Sequence, residues 1–113
     1  MSRDKGNAAP AWVAAWLRPW WPDAEKTPNS RPGRDILGTP GTAIEVKTEM
    51  RWSHKWLAQA AKYAGDGEIA LVVYLPPGCG ETAVGDALVV LPLRQVMPLL
   101  TAAGYAPQPT EVT

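Results

Sequence analysis

The chain has no phenylalanine, one cysteine and one histidine in 113 residues. Without Phe, the six Trp residues must carry much of the aromatic burial. Cys79 has no second thiol to pair with, which excludes an internal disulfide and suits a reducing, cytoplasmic setting. One Cys and one His fall short of the four Cys or His ligands of a structural zinc site. Long apolar runs are also missing. "AWVAAWLRPWW" is too short to span a bilayer and carries Arg18, and nothing resembles a signal peptide, so no membrane partner is expected. Basic residues are scarce in one half: residues 63–113 hold only Arg94 against five Asp/Glu, a balance of −4.

What is present describes one ordinary globular domain of modest core, spanning residues 1–113. The flanks 1–9 and 106–113 are expected to be flexible. Net charge is zero, yet residues 1–62 hold ten Lys/Arg against six Asp/Glu, a balance of +4. A basic half beside an acidic half is compatible with a phosphate-facing side, and equally with unevenly spread surface charge.

Patterning gives the elements. "PAWVAAWLRPW" has helical spacing, opened by Pro10 and ended by Pro19 and Pro22, and its Trp12, Trp16 and Trp20 stripe is expected to be core. "PDAEKTPNSRPGR" reads as a turn-rich connection. "RDILG" and "TAIEVKTE" read as two strands joined by "TPG". "SHKWLAQAAKYAG" reads as a helix with Ser53 as N-cap and Gly65 as its stop. "EIALVVYL" is apolar enough for a central strand buried on both faces, "PPGCGETAVG" reads as a loop, "DALVVLP" as the last strand, and "PLRQVMPLLTAAG" as a helix opened by Pro92. The order α-β-β-α-β-β-α implies a single three-layer α-β-α domain with a mixed sheet of about four strands.

The stretch "GRDILGTPGTAIEVKT" carries the chemistry. A hairpin closing around Pro40 would set Ile36 opposite Ile44 and Asp35 opposite Glu45. Strand alternation then puts Asp35, Glu45 and Lys47 on one face and Ile36, Ile44 and Val46 on the other. Directly opposed carboxylates repel. Protonation, a basic neighbour or a bound cation relieves that repulsion. Two hard oxygen ligands with room for water suit Mg²⁺ or Mn²⁺, and the Val46 carbonyl adds a third oxygen. Lys47 on the same face can orient a water or stabilise charge developing on a phosphate. These are the parts of metal-assisted phosphodiester hydrolysis. The bland alternative is a surface hairpin whose acids pair with Arg34, Lys47 or Arg51.

With Asp35 followed by "E45-V-K47", the stretch resembles the PD-(D/E)xK nuclease superfamily. Through "GRDI-x-G-x-PG-x-x-IEVK" and the order of elements from about residue 6 to 105, the chain is similar to small phage-encoded Holliday-junction-resolvase-like nucleases. The resemblance implies a three-layer fold, Mg²⁺-dependent cleavage of DNA, branched DNA above all, and a homodimer. Asp35 and Glu45 would be metal ligands and Lys47 the catalytic lysine. The chain departs from the pattern at two places: no acid stands on the first helix, where Pro10 occupies about the usual position of a Glu, and the strand ending "VVYLPPG" lacks basic residues. These departures leave a second reading open, a weakened nuclease fold that binds DNA or serves assembly.

The helix after the hairpin has an apolar face of Trp56, Leu57, Ala60, Tyr63 and Ala64. Arg51, Lys55, Gln59 and Lys62 lie on its other side and, with Arg31 and Arg34, are candidate phosphate contacts. A solvated face is the competing reading for this stripe. His54 is expected to be an ordinary surface residue. Gly33, Gly38 and Gly41 are better explained by turns than by a dinucleotide fingerprint, since no helix follows them closely.

Overall fold

The computed structural model describes residues 3–28 and 32–110, with side chains from residue 8 onward. Arg31 therefore lies outside the described residues. The elements run α1 (Arg3–Leu17), β1 (Glu25–Lys26), β2 (Ile36–Leu37), β3 (Thr42–Lys47), α2 (Lys55–Lys62), β4 (Ile69–Tyr74), a 3-10 segment (Glu81–Asp86), β5 (Leu88–Val90) and α3 (Leu93–Ala102). The class is the expected α/β domain with a mixed sheet, flanked by helices.

The sheet is smaller than the sequence suggested. Three strands run in the order β3-β4-β5, with β3 parallel to β4 and β5 antiparallel to it. β2 does not enter this sheet. It pairs instead with β1, inside the segment read as a mere connection. Just before β2, Asp35 donates its N–H to the Ile44 carbonyl of β3 at 3.0 Å. A glycine lets the two segments approach closely just past the β1–β2 pairing. Gly38 has a φ of +80°, and any Cβ there would collide with the Asp23 carbonyl before β1.

Register determines what each face carries. Parallel pairing sets Ile44 beside Leu71 and Val46 beside Val73, on the side packed by α1. Ala43 beside Ala70, Glu45 beside Val72 and Lys47 beside Tyr74 fall on the side packed by α2. The α1 side is a dry cluster of Ala9, Val13, Ala14, Ile36, Ile44, Val46, Val73 and Leu75. The α2 side is closed by Trp56 and Ala60 over Ala70, Val72 and Tyr74. β4 is thus the doubly covered strand that its sequence suggested.

Three helical expectations need correction. α1 begins at Arg3, seven residues before Pro10, which sits inside it and removes one rung of its hydrogen-bond ladder. Its buried stripe is Ala9, Val13 and Ala14, while Trp16 and Trp20 are 48% and 63% exposed. Of the expected stripe, Trp12 is half-buried and packs against this core, while Trp16 and Trp20 lie at the margin, where their rings meet at 5.2 Å. The loop at residues 81–86 is a 3-10 segment, against which Trp16 packs at Gly85. α3 forms as expected after Pro92, yet none of its residues is buried. The molecule measures 51 × 27 × 27 Å.

Candidate metal and nucleic-acid site

The site is built on β3 because alternation on that strand places Glu45 and Lys47 together, one residue apart from the core residues Ile44 and Val46. The polar groups of β3 also alternate. Gly41 and Lys47 direct their carbonyls to β4, accepting from Ile69 and Leu75 at 2.9 Å each. Ile44 and Val46 direct theirs to the opposite edge, where Asp35 stands. Asp35 donates its N–H to Ile44, and its carboxylate accepts the Val46 N–H at 2.7 Å. The Val46 carbonyl projects toward the same edge, since the N–H and C=O of one strand residue point the same way.

The two acids therefore converge without a regular hairpin. Glu45 is 6% exposed, among the few polar residues buried in the molecule. Burial, then a hydrogen bond and repulsion from the Asp35 carboxyl, push the Glu45 carboxyl up to about 8, against a smaller opposing pull from Lys47. The Glu45 carboxyl therefore favours its protonated form at neutral pH. Two carboxyl groups this close, one of them held neutral by burial and by its neighbour, would offer a divalent cation two oxygen donors. Among the described residues there is no group of three or more His, Cys, Asp or Glu that could hold a metal. An ion here would rest on Asp35, Glu45, the Val46 carbonyl and water.

Lys47 ends β3 on the same face as Glu45, with its Nζ 6.0 Å from the centre of the Trp56 ring. Trp56 is buried in the first turn of α2, whose N-cap is His54 rather than the expected Ser53 and whose C-cap is Tyr63, two residues before the expected stop at Gly65. The Ser53 Oγ accepts the Lys55 N–H at 3.3 Å and the Ser53 carbonyl accepts the Trp56 N–H at 3.1 Å. Packing of the Trp56–Ala60 stripe turns the basic stripe outward: Lys55, Gln59 and Lys62 are exposed, as are Arg51 and His54. Lys62 lies 5.5 Å from the Tyr63 ring.

Arg34 behaves differently from the other candidate phosphate contacts. Its guanidinium grips Glu68 through two bonds of 2.9 and 2.7 Å and donates further to the Thr42 and Tyr63 carbonyls. Glu68 raises the Arg34 pKa and is itself lowered to about 2 by that bond and by the Gly65 N–H. The pair ties the approach to β3 to the end of α2. Arg34 is thus a structural clamp with its main donors occupied, and neither a counter-ion of the acid pair nor a free phosphate contact.

Sequence reasoning missed Trp52 and Tyr74, which surround Trp56. Trp52 and Trp56 meet edge-on at 4.9 Å, and Trp56 lies 5.5 Å from Tyr74. The signal was a tyrosine closing an apolar run, but its place beside Lys47 depends on a parallel register that the sequence does not spell out. Comparison of the chain with known protein families, with characterised proteins and with solved structures finds no match.

Proposed function

We propose that the chain is a metal-dependent DNA endonuclease acting on branched DNA, with Asp35, Glu45 and Lys47 as its reacting groups. One observation carries the reading: the buried Glu45 carboxyl beside the half-buried Asp35 carboxyl at a strand edge, with a lysine ammonium on the same face. A carboxyl buried against another carboxyl costs folding stability, which a bound divalent cation would offset. Mg²⁺ or Mn²⁺, when bound, would supply Lewis-acid polarisation of a phosphoryl oxygen and activate water. Asp35, Glu45 and the Val46 carbonyl would hold it. Lys47 would orient the attacking water and donate to the charge developing on the phosphate. Arg51, Lys55, Gln59 and Lys62, exposed around the same helix, would lie along the DNA backbone.

A homodimer belongs to the same reading. It is supported by the exposed Leu93, Met97, Leu99 and Leu100 of α3, together with Leu88 and Val89 on β5 at the sheet's edge. Sedimentation of the native chain beside Met97→Glu/Leu100→Glu tests it: the double variant should sediment as a lighter species.

A second reading, a DNA-binding module without catalysis, is favoured by one observation: the acid pair has no third acidic or histidine ligand among the described residues. Labelled four-way junction, fork, single strand and duplex, each incubated with and without Mg²⁺ or Mn²⁺, separate the two. Metal-dependent cutting of the junction supports the endonuclease. Junction binding with no cutting in either metal replaces it with the module.

A further inference from the structure

Lys47 is a long, flexible side chain, and a reacting ammonium is useful only where it is held. In the structure its Nζ lies over the Trp56 ring, on the side of the sheet that carries Glu45. That ring is itself fixed. Trp52 abuts it at 4.9 Å with planes 77° apart, and Tyr74 lies 5.5 Å away at 46°. Tyr74 stands beside Lys47 in the ladder, and its hydroxyl donates to the Glu49 and Met50 carbonyls at 2.9 and 3.3 Å. The chain leaving β3 just after Lys47 is thereby pinned to the same aromatic group.

An aromatic face suits this task for a chemical reason. A carboxylate partner would fix the ammonium but occupy its N–H donors. A ring attracts the cation through its quadrupole and accepts no strong hydrogen bond, so donors remain free for a water or a phosphate oxygen. An aliphatic side chain of similar bulk would fill the space without attracting the charge.

We infer that Trp56 is a positioning residue that holds the Lys47 ammonium beside the Asp35–Glu45 pair, with Trp52 and Tyr74 locking its ring. The inference rests on the endonuclease reading for its catalytic consequence and on geometry alone for the contact.

Two measurements separate these. In metal-free protein with ¹³C-labelled lysine, the Lys47 ε-methylene, assigned by Lys47→Arg, should resonate upfield of the other lysines because it sits over an indole. The displacement should shrink in Trp56→Phe and vanish in Trp56→Leu. On labelled junction, Trp56→Leu should lower kcat about tenfold or more while KM and Mn²⁺ affinity stay within about twofold, and Trp56→Phe should recover most of kcat. An undisplaced Lys47 ε-methylene in the native protein overturns the contact, and needs no Trp56 variant to fold. A Trp56→Leu protein that cuts at the native rate overturns the positioning role. A native protein that cuts nothing overturns the endonuclease reading, and the displaced resonance with its loss in Trp56→Leu still supports the contact.

Discussion

The two faces of β3 differ in purpose though they alternate along six residues. Ile44 and Val46 point into a dry cluster under α1, while Glu45 and Lys47 point toward α2, among Trp56 and Tyr74. The first face is what stability demands. The second places a neutral carboxyl where an apolar side chain would serve the fold as well or better. The compromise on that second face is what the proposed metal site would explain.

The largest effects should come from the apolar face and the aromatic group. Ile44→Ala should cost about 2–5 kcal/mol of folding stability, and Trp56→Ala about 3–5 kcal/mol, measured by urea unfolding. Trp16→Ala, at an exposed indole of the same residue type, should cost well under half as much. A Trp16→Ala loss equal to that of Trp56→Ala would mean that Trp16 is core after all. Next comes Lys47→Ala, which should slow junction cleavage about 10²-fold or more yet leave junction affinity in Ca²⁺ nearly unchanged, because a group acting at the transition state alters rate more than binding. Equal cutting rates would make Lys47 a mere partner of the carboxyls.

These contrasts also show what the sequence made legible. The alternation of Asp35, Glu45 and Lys47 against Ile36, Ile44 and Val46 was readable because strand periodicity is two and the residue types are unambiguous. The pairing was not. β2 joins β1, and Gly38, just past that pairing, comes so close to the Asp23 carbonyl, fifteen positions earlier, that only glycine fits. Periodicity succeeded for α2, where Trp56 and Ala60 are buried as their spacing implied. It misled for Trp16 and Trp20 of α1, where Ala9, Val13 and Ala14 offered a narrower face that fits closer to the sheet than indoles can. Arg34 illustrates the remaining limit: Glu68, its partner, is thirty-four positions distant, so a neighbouring Asp35 looked the more natural match.

A smaller effect concerns pH. Glu45 is raised to about 8 in the folded chain, so the folded state binds more protons than the unfolded one between about pH 4.5 and 8. Its contribution is complete below the unfolded pKa and is lost as pH rises through 8. Thermal melts of metal-free protein should therefore fall from pH 5 to pH 8.5, and Glu45→Gln should flatten that decline. A flat native profile would mean that the Glu45 carboxyl is not held neutral. Lys55→Ala/Lys62→Ala should weaken junction binding and reduce the slope of log affinity against log salt by roughly 1.8. The smallest effect is of opposite sign. Glu68, lowered to about 2, adds stability above its unfolded pKa that is lost as pH falls toward 2, and Glu68→Gln should remove only this acid limb.

The most direct measurement is titration calorimetry of Mn²⁺ into the native chain and into Glu45→Gln at pH 7. The expected result is saturable heat in the native protein, accompanied by proton release that scales with buffer ionisation enthalpy, and almost no heat in the variant. Equal heats in both proteins, or binding with no proton released, would contradict a metal centre on the acid pair of β3.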